Sequence, residues 1–260
     1  MKWPNELTVI RHGESAYNVL RPIKEIDPKY QAFKKAFDAN KDPELVRQLA
    51  EEIIAEGTLT LDHGDHDTPL TDWGHEQALL TGKGLRLGKF IGLPDIIYVS
   101  PYNRTKDTLA GIQEGWPELE EVPVVEEERL REQDHGLSIV YNDWRIYQTM
   151  HPEQRALYDV QGAYWYRFLQ GENVPDVRER TRSWIGTVVR EHTGKNVMAV
   201  AHHLTKLALR ANFERFGEEQ FVWVDDHEKP VNCGVTKYVG VPEAGKNGKL
   251  VLDTYNQKFY

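Results

Sequence analysis

The chain has 260 residues, of which 41 are acidic and 32 basic, for a formal net charge of -9. That length can bury a substantial core in one large or two small domains, while the acidic balance argues against general affinity for nucleic acid or an anionic membrane. The longest apolar runs, such as Asn196 to Ala201, fall well short of the roughly 20 residues that a bilayer span requires, so no membrane segment is expected.

The opening stretch Met1 to Glu6 leads into a short strand and not into a long apolar run with a cleavage site, so no secretory signal is expected. Leu7 to Ile10 reads as a buried strand that stops at Arg11, His12 and Gly13. In open α/β sheets ligands sit beyond the carboxyl ends of strands, which makes Arg11 and His12 site candidates. From about Val19 to Asp67 the sequence turns charged and helix-favouring, with Phe33, Phe37, Leu45, Leu49, Ile53 and Ile54 at helical spacing, and is expected to insert one or two helices beside the site. Asp95 to Val99 reads as a second strand, followed by Ser100 to Thr105 and a helix bearing Thr108, Leu109 and Ile112. A short strand is expected over Val122 to Val125.

Val177, Thr181, Trp184, Ile185, Val188 and Val189 form the stripe of a helix from about Pro175 to His192, with Gly194 beyond its end. Asn196 to Ala201 is another strand, ending at His202 and His203 before a helical period over Leu204 to Phe216. Gly234 to Val241 and Lys249 to Tyr255 read as a closing hairpin. Strands alternating with helices predict a three-layer α/β sandwich with a mainly parallel central sheet, as a single domain over residues 1–260 that includes the insertion. Cys233 is the one cysteine, which excludes an intrachain disulfide and a thiolate metal cluster and points to a reducing cytoplasm.

Arg11, His12, Arg104 and His202 all follow predicted strands and can converge in a parallel sheet. Two guanidiniums can hold phosphate oxygens through forked hydrogen bonds, and two imidazoles can supply a nucleophile and a further donor. The set suits phosphoryl transfer, which needs positioning and charge neutralisation more than elaborate covalent machinery. An acid must still protonate the leaving oxygen. Leu130 to Gly136 offers Glu132, with Asp134 and Glu128 as rivals; the acid must hold a proton at neutral pH, which partial burial or the charge of an incoming phosphate would favour.

Five segments then resemble the histidine phosphatase superfamily, the phosphoglycerate mutase-like enzymes. They are Arg11 to Asn18, Pro69 to Ala78, Ser100 to Thr108, Leu130-Arg131-Glu132 leading to Gly136, and Val200-Ala201-His202, in matching order across nearly the whole chain. The resemblance implies a phosphoglycerate mutase-like fold and hydrolysis of a small phosphate monoester through a phosphohistidine on His12. It also implies that Arg11, Asn18, Arg104 and His202 bind the phosphate, that Glu132 is proton donor and then base, and that no metal or other cofactor is needed. The branch resembles metal-independent, broad-specificity phosphatases. Gln161 to Phe168, followed by Gly171 to Val177, resembles a bacterial and plant subgroup, although those aromatics read more readily as packing than as substrate contacts.

Two departures matter. His203 stands where the family commonly has glycine and is a candidate for the substrate rim, as is His66 ahead of Pro69-Leu70-Thr71. Gln133 replaces an arginine of the glycolytic mutases, which favours a phosphatase over that mutase. The crowded loop Asp62 to Asp67 raises a metal-dependent hydrolase as a competing class, but its residues are nearly adjacent and read better as a solvated loop. A phosphate-binding protein without turnover is the third class. The expected partner is a small phosphorylated molecule, with no nucleic acid or membrane; oligomeric state is not legible.

Overall fold

The structure, a computed structural model, describes residues 2–260. In chain order its elements are β1 (Glu6–Arg11), α1 (Ala16–Ile26), α2 (Pro28–Ala39), α3 (Pro43–Glu56), α4 (Asp72–Gly88), β2 (Ile96–Val99), α5 (Asn103–Gly115), β3 (Val124–Glu126), α6 (Trp144–Met150), α7 (Pro152–Trp165), α8 (Val174–Glu191), β4 (Asn196–Ala201), α9 (His203–Glu214), α10 (Glu218–His227), β5 (Val235–Val241) and β6 (Lys249–Gln257). They fall into two compact units, one of Met1–Ser15, Pro69–Gln133 and Val174–Tyr260, the other of Ala16–Thr68 and Asp134–Asn173.

The first unit carries a six-stranded sheet in the order β3-β2-β4-β1-β5-β6. β1, β2, β3 and β4 run parallel, whereas β5 pairs antiparallel with both β1 and β6, so the expected mainly parallel sheet and its closing hairpin are both present. Because successive strand side chains point to opposite faces, alternate residues divide between two cores. Ile10, Ile97, Val99, Met198 and Val200 pack with Ala78 and Leu85 of α4 and Leu109 and Ile112 of α5. Leu7, Val9, Tyr98, Val197, Ala199 and Ala201 pack with Trp184 and Val188 of α8 and Leu209 of α9. Helices on both faces leave the carboxyl ends of β1, β2 and β4 as the place where polar residues collect.

The second unit is helical. Three helices occupy Ala16 to Glu56, one more than the upper expectation, because the chain is punctuated twice. Asp27 and Asp42 accept from the amides of Tyr30 and Leu45, Pro28 and Pro43 open α2 and α3, and Asn40 and Gly57 close them in the left-handed region. Its core joins Tyr30, Phe33, Phe37, Val46, Ala50 and Ile53 to Ile146 of α6. A buried Lys24 donates to the Asn142 carbonyl and pairs with Asp143 at 3.4 Å, and Asp143 also accepts from the Tyr30 hydroxyl at 2.6 Å. The contribution of residues Asp134–Asn173 to this unit is not marked by any break in the sequence. No described helix is long and apolar enough to cross a membrane.

Candidate active site

The first unit brings Arg11, His12, Arg104, Glu132 and His202 into one cluster at the carboxyl ends of its parallel strands. β1 continues one residue past its last ladder pair, as the His12 amide donates to Ala201 of β4 at 3.0 Å. The turn that follows is tied to two helices. Gly13 N–H donates to Thr108 Oγ1 at 2.9 Å, and that hydroxyl donates to the Arg104 carbonyl at 2.6 Å, linking the turn to the first residues of α5. Glu14 N–H donates to Gln77 Oε1 of α4 at 2.8 Å.

His12 is 3 % exposed and His202 fully buried, with ring centroids 5.3 Å apart. His12 Nδ1 lies 2.7 Å from the Gly13 carbonyl. A carbonyl only accepts, so Nδ1 carries the proton and Nε2 keeps its lone pair. Burial first, then the guanidinium charges of Arg104 and Arg11, hold His12 well below the ordinary 6.5, outweighing the Gly13 hydrogen bond that acts the other way. The ring is neutral at neutral pH, as a nucleophile must be. His202 is likewise held well below 6.5, by burial and then by Arg104, with smaller effects from His12, Arg180 and Arg11.

His202 sits at the N-cap of α9 with Nε2 2.7 Å from Ser100 Oγ at the end of β2. Tyr102 lies edge-on to it at 5.0 Å, and the Arg104 guanidinium carbon is 4.8 Å from the Tyr102 ring centre, so one aromatic ring spaces the two. Arg11 donates to the Pro230 carbonyl at 2.7 Å. Among the described residues, Arg11 Nε and His202 Nδ1 are buried nitrogens without a hydrogen-bond partner. Leaving such groups unpaired is costly.

Glu132 is fixed from both sides. Its Oε1 accepts from the amides of Gln133 at 3.0 Å and of Leu204 in the first turn of α9 at 3.1 Å. Its carbonyl accepts from Arg180 of α8 at 2.9 Å, while Thr205 Oγ1 donates to the Arg131 carbonyl at 2.5 Å. The carboxyl group therefore sits at the helix start that follows His202. Glu128 is exposed, and Asp134 belongs to the second unit, where its Oδ1 accepts from Gly136 N–H at 2.8 Å.

His203 points to a different partner, Asp225 of α10, with Nε2 2.6 Å from Oδ1. Asn18, on α1, and His66 lie in the second unit, where His66 Nδ1 is 2.9 Å from Asp67 Oδ1. His63 pairs in the same way with Asp62, and among the described residues no group of three His, Cys, Asp or Glu side chains converges on a metal position. Sequence reasoning assigned no role to Ser100, Tyr102, Thr108, Arg180 or Asn232. Ser100 and Tyr102 were legible as neighbours of Arg104 in the Ser100 to Thr108 segment, whereas Asn232 carries no signal of its own.

The chain matches the histidine phosphatase superfamily (branch 1) over residues 56–241. That span holds Arg104, Glu132 and His202, and Arg11 and His12 precede it. It is 31% identical over 213 residues to a phosphoglycerate mutase-like protein of Arabidopsis thaliana, covering 75% of this chain and 70% of that protein. It is also 27% identical over 145 residues to phosphoserine phosphatase 1 of Hydrogenobacter thermophilus, covering 55% of this chain and 63% of the relative, just under two thirds of its length. A mycobacterial glucosyl-3-phosphoglycerate phosphatase, solved with inorganic phosphate, shares the fold at TM-score 0.63 and 20% identity over 98% of each chain. The chain thus belongs to branch 1 of the histidine phosphatase superfamily and is an enzyme of the phosphomonoesterase or mutase-like kind.

Proposed function

We propose that the protein hydrolyses a small phosphate monoester through a phosphohistidine on His12. The observation that carries this reading is the pair of buried, unpartnered nitrogens, Arg11 Nε and His202 Nδ1, in the same cluster as a neutral His12. His12 Nε2 attacks phosphorus as the bond to the leaving oxygen breaks, and Glu132 gives that oxygen its proton. Arg11, Arg104 and His202 neutralise the charge on the equatorial oxygens. Water then attacks the phosphohistidine, its proton passes to Glu132, and the P–N bond breaks to release inorganic phosphate and neutral His12. No step requires a metal or other cofactor. The single cysteine, buried at Cys233, accords with work in a reducing cytoplasm.

Relatives named for different phosphate esters support the reaction class and leave the ester to experiment. The test is a screen of sugar phosphates, phosphoglycerates, nucleotides and phosphoamino acids, with His12→Ala as control. Release of inorganic phosphate by the wild type, with an acid-labile phosphoenzyme absent from His12→Ala, is the expected outcome. Isomerised phosphoglycerate without phosphate release assigns the protein as a mutase. Anion binding with neither product nor phosphoenzyme would leave a phosphate-binding protein.

A further inference from the structure

The backbone peptide between Gly13 and Glu14 is gripped at both ends by side-chain amides. At its carbonyl end Asn232 Nδ2 donates to Gly13 O at 3.0 Å and to the preceding carbonyl, His12 O, at 3.1 Å. At its N–H end, Glu14 N donates to the buried Gln77 at 2.8 Å. The gripped carbonyl is the one that accepts from His12 Nδ1. We propose that Asn232 and Gln77 are positioning residues that hold His12 in the tautomer with its proton on Nδ1.

The physical argument concerns the acceptor. A carbonyl presents two lone pairs, enough to accept from both Asn232 Nδ2 and the imidazole N–H. A peptide plane free to rotate would turn this oxygen from the ring, and the neutral imidazole would lose the bond that selects its tautomer. With the proton on Nε2 that nitrogen has no lone pair for phosphorus. The support for Asn232 is itself built. Tyr260 Oη donates to its carbonyl at 2.6 Å, and the next residue, Cys233, donates its amide to His12 O at 3.2 Å. Lys206 of α9, itself buried, donates to Gly234 O at 2.5 Å and fastens the same loop to the helix that His202 caps. Asn232 holds the carbonyl that accepts from His12 Nδ1, so its effect passes through His12.

The inference rests on His12 as nucleophile, and its test is read on the ring itself. Histidine-labelled protein is compared as wild type, Asn232→Ala, Asn232→Ser and Gln77→Met by long-range proton–nitrogen correlation spectra, with His12 assigned by its loss in His12→Gln. The wild type should show Nδ1 as the protonated nitrogen. In Asn232→Ala and Gln77→Met the nitrogen shifts should move toward a mixture of tautomers, with kcat down about tenfold and KM within about twofold, as expected when an orienting partner of a catalytic histidine is lost. Asn232→Ser, which keeps a donor, should recover part of both and stands in should the alanine variant not fold. A folded Asn232→Ala with the wild-type ring spectrum overturns the inference, whether its kcat is normal or reduced. If the wild type turns over no phosphate ester, the functional reading fails, yet the ring spectrum still decides the role of Asn232.

Discussion

Ser100 Oγ lies 2.7 Å from Nε2 of His202, at the junction of β2 and α9. Burial and nearby cations keep that imidazole neutral, so only one of its nitrogens carries a proton. If the hydroxyl donates to Nε2, the proton resides on Nδ1, the buried nitrogen without a partner, ready to be given to a phosphate oxygen. Ser100→Ala removes this bias while leaving the ring in place. It should lower kcat/KM by roughly tenfold, the scale of a lost hydrogen bond to a charged group, and weaken vanadate inhibition in parallel. Full activity with unweakened inhibition would show that His202 needs no such partner.

Glu132 is assigned two successive proton transfers, which a leaving-group series separates. Glu132→Gln keeps the hydrogen bonds available to its oxygen from Leu204 and Gln133. It cannot donate a carboxyl proton or accept one from water. Alkyl phosphates should lose about 10²- to 10⁴-fold in kcat. A nitrophenyl ester, whose leaving group needs no proton, should still phosphorylate His12 and then stall, giving a burst and an accumulated phosphoenzyme. Equal losses on both esters with no accumulation would assign the proton transfers elsewhere.

How much of this was legible beforehand follows a physical division. The strands and their flanking helices were, because burial of both faces of β1, β2 and β4 forces continuous apolar runs such as Val197 to Ala201. Arg11, His12 and His202 were legible because each lies at the end of such a run, and Arg104 because it opens the helix that follows one. What the sequence concealed depends on contacts between distant segments. The bond between Glu132 and the Leu204 amide in the first turn of α9 joins positions 72 residues apart. Asn232 acts from 219 residues beyond Gly13, in a loop with no periodicity. The division of Ala16 to Glu56 into three helices, where one or two were expected, escaped for a different reason, since the Asp-Pro pairs that start α2 and α3 are local signals outweighed by an almost continuous charged pattern.

Acid should destabilise the fold through its buried imidazoles. His12, His202 and His192 are all held below 6.5 in the folded protein, with burial the first cause in each. Above the unfolded value both states are neutral and the contribution to stability is complete. As pH falls below it, the unfolded chain binds protons that the folded one refuses, and stability drops until the folded values are reached. Each histidine contributes a slope of up to about 1.4 kcal/mol per pH unit within that window. Denaturant titrations between pH 7.5 and 5.5 should show this fall, and His12→Gln should make it shallower. An unchanged slope in that variant would mean that His12 is charged in the folded state over this range.

The turn that carries His12 also depends on two glycines in mutual contact. A Cβ on Gly13 would come within 2.5 Å of the Gly74 carbonyl, and one on Gly74 would overlap the Glu14 carbonyl. Both obstacles are backbone, so neither can swing aside. Thr71, which caps α4 by accepting from the Gly74 amide at 3.0 Å, also donates to Glu14 Oε1 at 2.9 Å, which fixes the helix start against the turn. Gly74→Ala must therefore push α4 away from Glu14 and strain the peptide whose N–H is held by Gln77. A loss of about 1–3 kcal/mol in stability is expected from such overpacking, together with a fall in kcat larger than that in Gly57→Ala, where nothing lies within 4 Å of the added carbon and only a φ of +65° is strained. Comparable kcat values in the two variants would show that the turn tolerates displacement and that the close approach serves packing alone.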